Sequence, residues 1–240
     1  MSLLDELNSR GYALVENAVE EVVVEEILRA IAAAGLDGNS RDLGSAAPEI
    51  LRLCRTTTLC PLANEALGTK AMIVRSLLFD KTASANWVVA WHQDVTIAVK
   101  ERRDVPGFGP WSVKAHIPHV QPPAEILERM ITLRLHLDDC NESNGALQVL
   151  PGTHLRGKLG SAEIRRLRAE ISPAVCAVRK GGVLLMRPLL LHASSKAEQP
   201  RHRRVVHLEF AGENLPGGLC WLGRDWALDG DDKMSVFRCH

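Results

Sequence analysis

"MITLRLHLDDCNESNGALQVLPGTH", residues 130–154, carries the two signals on which the reading of the fold turns. At its start Thr132, Arg134 and His136 alternate with Leu133, Leu135 and Leu137, the period of two that marks a strand with one polar and one apolar face. Taken alone, that polar face reads as half-solvated. Asn144-Gly145 then separates this strand from "GALQVL", a short-range hairpin signal although the connection exceeds two residues.

Working outward, the same texture recurs on both sides. "AMIVRSLLF" (71–79), "WVVAWHQDVTIAV" (87–99), "AVCAV" (174–178), "GGVLLMRP" (181–188) and "RRVVHLEFAG" (203–212) are short apolar runs bounded by Gly, Pro and Asn, and "RKGG" (179–182) marks a second hairpin corner. Several short strands with turn punctuation predict a sandwich or barrel. Before Lys70 the period changes: Val23, Ile27, Ile31 and Ala34 recur at helical spacing, with Gly35 placed to end that helix in a left-handed cap. "SAEIRRLRAEI" (161–171) predicts a short amphipathic helix. Residues 99–124 hold five prolines and no clear period, and a loop of that length in a compact domain is more often functional than decorative.

Composition bounds the rest. The 240 residues, 46% hydrophobic, suit one domain with a substantial core. Twenty-nine basic residues balance 29 acidic ones without a long single-sign run, so neither nucleic acid nor a membrane surface is expected as partner, and a small molecule is. Six cysteines (54, 60, 140, 176, 220 and 239) form no C-x-x-C pair, which reads as reduced thiols in a cytoplasmic protein. The acidic start "MSLLDELNSRGYALVENAVEE" lacks the form of a signal peptide, and no apolar run nears the roughly 18 residues of a membrane span.

"WVVAWHQDVTIAV" reads as a buried strand that nevertheless carries His92 and Asp94, two positions apart and so on one face. A buried carboxylate needs a partner, and a metal ion is one. Spacing alone is weak, since about one His-x-acid match arises by chance in such a composition, and this chain has three, with His136/Asp138 and His207/Glu209. Asp138 lies at a turn, and His207 with Glu209 reads as a solvent-facing pair on the last strand. His92 and Asp94 have apolar neighbours instead. His192, at the end of another apolar run, is the best third ligand. Two histidines and one carboxylate form the facial triad of non-haem iron, which leaves coordination positions open.

"WHQD", "NGALQVLPGTH" and "LLLHASSKAEQPRHRR" together resemble the phytanoyl-CoA dioxygenase family of Fe(II)- and 2-oxoglutarate-dependent oxygenases, and the resemblance runs from about Gly11, at "GYALVENAV", to about Gly212. It implies a mainly β fold with flanking helices, a double-stranded β-helix or cupin-like jelly roll. Residues 1–240 then form a single dioxygenase domain, with a mostly helical layer over 1–69, the jelly-roll core over 70–212 and an active-site lid over 99–124. It also implies Fe(II), 2-oxoglutarate and O2 as cofactor and co-substrates, a small-molecule substrate, and a monomer or homodimer.

Carried onto this chain, the resemblance makes His92, Asp94 and His192 the iron ligands. The family's arginine for the distal carboxylate of 2-oxoglutarate lies eleven residues beyond the second histidine, at Arg203, and its planar fork suits a carboxylate. Strand alternation complicates this, because Arg204 shares a face with Val206, Leu208 and Phe210. Both faces of such a strand can be covered, one by a cavity and one by helices. Ser194 matches a hydroxyl that also reaches the co-substrate, or is a turn serine. Arg134 would contact 2-oxoglutarate or an acidic substrate, and Trp111 roughly corresponds to an aromatic beside the co-substrate. Lys114, His116 and Arg102, with Lys100, Arg103 and His119, give the lid a cationic character that suits a small polar substrate with an acidic group.

The expected reaction is hydroxylation of a C–H bond with release of succinate and CO2. Asp94 favours this over halogenation, because the related halogenases carry a small residue in its place. Two other classes remain open: a jelly roll that holds a different divalent metal as a hydrolase or isomerase, and a module that binds 2-oxoglutarate without consuming it. No function is read into residues 213–240 beyond two tryptophans that could cover the barrel or a partner.

Overall fold

The computed structural model describes residues 1–36 and 38–227. Helix α1 (Leu3–Ser9) opens with a capping box between Ser2 and Asp5 and leads into strand β1 (Tyr12–Val15). Helix α2 (Glu21–Ala33) follows, and Gly35 ends it as expected: at φ 62° its N–H bonds the Ala32 carbonyl while Leu36 N–H bonds Ile31, a Schellman motif. Helices α3 (Leu43–Ala46), α4 (Pro48–Arg55) and α5 (Leu59–Leu67) complete the helical layer. Then come β2 (Met72–Lys81), β3 (Val89–His92), β4 (Ile97–Ala98), β5 (Trp111–Lys114), β6 (Ile117–Val120), α6 (Ala124–Glu128), β7 (Met130–His136) and β8 (Leu147–Val149). Helix α7 (Ser161–Glu170), β9 (Ala174–Cys176), β10 (Val183–Met186), β11 (His192–Ser194) and β12 (Arg203–Ala211) follow.

The strands form a major antiparallel sheet in the order β1-β10-β7-β12-β2, a minor sheet β3-β11-β8-β9, and a small sheet β4-β6-β5. From β7 onward the chain passes back and forth between the first two, with β8 and β9 paired in the minor sheet, which is the jelly-roll path. The two expected hairpins are therefore not hairpins. Asn144-Gly145 carries the chain from β7 in the major sheet to β8 in the minor one, and 179–182 carries it back from β9 to β10. Turn chemistry fixes that the chain bends, not which sheet receives it. Part of 99–124 is also structured, as β5 and β6.

Alternation along the major sheet sorts its two faces. Leu133, Leu135, Leu185, Val206, Leu208 and Phe210 pack with Val24, Ile27, Ile31, Ile50 and Leu59 of the helical layer into the largest apolar cluster. Register puts Arg203, Val205, His207 and Glu209 of β12 opposite Lys81, Phe79, Leu77 and Arg75 of β2, with His136, Arg134 and Thr132 of β7 alongside. This second face looks into the roll, and all of β7 is buried, so its polar side is an interior wall rather than a half-solvated surface.

"WVVAWHQDVTIAV" is not one hidden strand. Pairing stops after His92, and the chain resumes as β4 in a different sheet. Only Gln93 and Ile97 to Val99 are buried in this stretch. Among the described residues, Cys54, Cys60, Cys140 and Cys176 are free thiols; Cys220 is disulfide-bonded, a departure from the all-thiol expectation. Trp221 and Trp226 pack into two of the apolar clusters, and residues 228–240 of the C-terminal segment lie outside the described residues. No helix among the described residues is long and apolar enough to cross a membrane.

Candidate metal centre

His92 ends β3 and His192 begins β11, and the two are direct register partners in the antiparallel ladder. Their ring centroids lie 4.2 Å apart. Each ring is turned by the same local device. Nδ1 of His92 bonds the Ala90 carbonyl at 2.8 Å, and Nδ1 of His192 bonds the Leu190 carbonyl at 2.9 Å. A carbonyl only accepts, so the proton sits on Nδ1 and Nε2 is left as a bare lone pair.

Asp94 reaches this point from the loop after β3, not by sharing a strand face with His92. Its Oδ1 lies 3.7 Å from His92 Nε2 and its Oδ2 lies 3.7 Å from His192 Nε2. Among the described residues this is the one group of His, Cys, Asp or Glu side chains able to hold a metal, with its ligand atoms all within 4.8 Å of one another. Burial raises the Asp94 pKa, but His192, His207, His92 and Arg75 outweigh it and hold the group below its ordinary value. Burial takes His192 down to about 4. A carboxylate and a neutral imidazole are the protonation states a cation requires. Two imidazole nitrogens and one carboxylate on one side of an ion suit Fe(II).

Gln93, between the two ligands, holds this loop in place. Its amide donates to the carbonyls of Leu189 at 2.7 Å and Gly157 at 2.9 Å, and its Oε1 accepts from Leu159 N–H at 2.8 Å. Asp94 N–H bonds the Pro188 carbonyl at 2.9 Å. The Thr153 hydroxyl ties Leu150 to Leu191, the residue before His192. "WHQD", "PGTH" and "RPLLLH" are thus laced together behind the ligands. Gln93 is not legible from sequence, because a polar residue between two candidate ligands looks like filler.

Toward one end of the roll, Arg203, Lys81 and Arg134 are buried together. Arg203 donates to the Gly145 carbonyl; Lys81 donates to Ser194 Oγ at 2.7 Å and to the Ser195 carbonyl. Ser194 lies in β11 rather than a turn and bonds the Gly145 carbonyl as well. Arg134 contacts His207 Nδ1 at 2.9 Å. Among the described residues none of the three cations forms an ion pair with a carboxylate, a charge excess that costs several kcal/mol unless an anion answers it. Arg204 points the other way, to the helical side, where Asp138 takes it in a two-pronged pair.

His207 and Glu209 do not face solvent. Both are buried on the interior wall, where Glu209 pairs with Arg75 at 2.8 Å and lies 3.5 Å from His207. Alternation with the core residues of β12 was the signal that could have found them. Lys81 and Arg75, charged positions in the mostly apolar β2, were missed in the same way.

Of the lid residues, Lys114 is half-buried and bonds Thr96 Oγ1 at 3.3 Å. His116 is exposed in the β5–β6 turn, and Arg102 is exposed beside Asp104 and lies 5.5 Å above the Trp111 ring. Trp111 packs with the cluster around Trp221 rather than with Arg203, because its β5 position shares a face with Val120 and Ile97.

The phytanoyl-CoA dioxygenase family model matches residues 7–205. No curated protein sequence matches the chain. Among solved structures, SnoK, a non-haem alpha-ketoglutarate-dependent carbocyclase from nogalamycin biosynthesis, is similar at 14% identity and TM-score 0.69, over 88% of this chain and 83% of that one. EctD from S. alaskensis, with 2-oxoglutarate and 5-hydroxyectoine, is similar at 17% identity and TM-score 0.68, over 87% of this chain and 74% of that one. AviO1 from Streptomyces viridochromogenes Tue57 follows at 20% identity and TM-score 0.62, over 90% and 94%. At these identities the likeness is one of fold.

Proposed function

The chain belongs to the phytanoyl-CoA dioxygenase family, and from that premise we propose that it is an Fe(II)- and 2-oxoglutarate-dependent dioxygenase that hydroxylates a C–H bond of a small polar or acidic molecule. The observation that carries the reading is the convergence of His92, Asp94 and His192 in a roll whose buried Lys81, Arg134 and Arg203 have no carboxylate partner among the described residues. The three side chains would hold the iron, which with 2-oxoglutarate and O2 would supply the oxidising power for C–H cleavage as the co-substrate is converted to succinate and CO2.

The protein's part is to bind, orient and keep water out. Arg203 grips the distal carboxylate of 2-oxoglutarate with its fork, oriented by the Gly145 carbonyl, while Lys81 and Ser194 offer a second charge and a hydroxyl to the same group. The dianion also answers the charge excess of the cluster. Arg134, held by His207, lies along the same wall. The small sheet β4-β6-β5 forms part of the lid, and Lys114 gives it a cation. EctD, crystallised with 2-oxoglutarate and 5-hydroxyectoine, supports hydroxylation, whereas SnoK, a carbocyclase, has another outcome on a similar fold. The Asp94 carboxylate favours hydroxylation over halogenation.

Anaerobic titration with Fe(II) and then 2-oxoglutarate tests the reading. A weak visible charge-transfer band is expected in the wild type, with metal affinity lowered in Asp94→Ala and 2-oxoglutarate affinity lowered in Arg203→Ala. Folded, iron-loaded protein without the band would overturn it.

A further inference from the structure

His119 repeats the device seen in His92 and His192. It lies on β6, only 1% exposed, with Nδ1 bonded to the Ile117 carbonyl two residues earlier at 2.9 Å. Its Nε2 is buried with no partner among the described residues. An unprotonated, unpartnered imidazole nitrogen in the interior is an acceptor awaiting a donor, and leaving it so costs free energy. Burial, with Arg75 and Lys114 nearby, keeps the ring below its ordinary pKa although the Ile117 bond and Glu209 oppose this, so the nitrogen stays a lone pair at neutral pH.

Register gives its surroundings. His119 pairs with Ala98, so it shares a sheet face with Thr96 and Lys114, while Ile97 and Val120 turn the other way into the apolar cluster. The chain reaches Thr96 directly from Asp94. Arg75, whose Nε has no partner among the described residues and whose Nη1 pairs with Glu209 at 2.8 Å, lies near enough that both charges act on His119. Glu209 is six residues from Arg203 on β12, about 20 Å at the rise of a strand, so these groups and the Arg203 cluster occupy different parts of the interior wall.

We propose that His119, Lys114 and Arg75 form a second recognition point that binds a small molecule carrying an anionic oxygen beside an O–H or N–H donor, as in a hydroxy- or amino-carboxylate. Lys114 and Arg75 meet the anion, and His119 Nε2 accepts from the neighbouring donor. That this molecule is the enzyme's substrate rests on the oxygenase reading above; the binding itself does not.

The test follows the Nε2 resonance of His119 in protein labelled with nitrogen-15 histidine, assigned by its loss in His119→Phe. It is run on metal-free protein and on protein loaded with zinc and saturating 2-oxoglutarate. Glycolate and glycine are the probes for the hydroxy and amino forms, with acetate, inorganic phosphate and ethanol as controls that lack one half of the pair or its geometry. Saturable movement with glycolate or glycine is expected in both forms, about tenfold weaker with acetate or phosphate and in Lys114→Met. His119→Phe, which removes a buried orphan, is expected to fold with unchanged or raised Tm. A resonance indifferent to both probes, or one that responds equally to acetate or ethanol, overturns the proposal. Failure of zinc or 2-oxoglutarate to bind would instead count against the oxygenase reading, since the metal-free titration still reports on His119.

Discussion

His92 and His192 are register partners across the β3–β11 ladder, and each spends its Nδ1 proton on the carbonyl two residues before it. Two strands thus deliver two bare Nε2 atoms to one place, and no side-chain rotation is needed to expose them. Asp94 is the only carboxylate of the trio. Replacing it by alanine is expected to lower metal affinity about a hundredfold with little change in folding, because it sits in a loop and is a third exposed. Metal titration of the folded variant checks this, and an unchanged affinity would remove Asp94 from the ligand set.

Gln93 carries the loop between the ligands on three hydrogen bonds to backbone groups of Gly157, Leu159 and Leu189. Gln93→Leu keeps the volume but leaves the Leu189 carbonyl unpaired in the interior and takes the partner from the half-buried Gly157 carbonyl and Leu159 N–H. A loss of about 3 kcal/mol is expected, measured by denaturant unfolding of the metal-free chain, together with a metal affinity lower by about tenfold or more. If the folded variant bound metal as the wild type does, Gln93 would serve stability alone.

Much of this was legible because period two is a local property. Leu133 to Leu137 and Val206 to Phe210 marked the helix-facing side of the sheet, and the mostly helical first seventy residues covered it. What failed was assignment across sheets. A turn signal such as Asn144-Gly145 says nothing about which sheet its second strand joins. A short run such as Trp87 to Val99 does not reveal that its pairing breaks after His92. His207, Glu209, Lys81 and Arg75 were overlooked for a related reason: charged residues in strands read as solvated until both faces of the sheet are known to be covered. The conflict between Arg203 and Arg204 had the same root, since the apolar company of Arg204 is that of the helical side.

Gly145 is required where Asn-Gly crosses between sheets. Its φ is 78°, and a Cβ there would stand 2.7 Å from the Ser195 carbonyl oxygen and 3.2 Å from Lys81 Nζ. Gly145→Ala is expected to cost about 1–3 kcal/mol and, by displacing the carbonyl that orients Arg203, to weaken 2-oxoglutarate binding without changing metal affinity. Calorimetric titration with each ligand separates the two. Equal losses for metal and 2-oxoglutarate would mean that the damage is global.

Lys81 gives the cluster a dependence on pH whose direction can be worked out. Burial, aided by Arg203 and Arg134 and opposed by Cys140, brings its amine from the ordinary 10.5 down to about 8. In the free protein it is charged below about 8 and loses that charge above. Because the folded value lies below the unfolded one, this group costs the fold stability at neutral pH and returns it as pH rises through about 8 towards 10.5. A bound carboxylate favours the charged amine and raises its pKa, so above about 8 binding must take up a proton. The affinity for 2-oxoglutarate is therefore expected to be flat below that pH and to fall by up to about tenfold per unit above it. Calorimetry in buffers of different ionisation enthalpy reads the proton uptake directly. Lys81→Met should bind more weakly and lose the dependence. A wild-type affinity unchanged from neutral pH to a unit above the Lys81 value would place the amine outside the carboxylate's reach and leave Arg203 to hold it with Ser194.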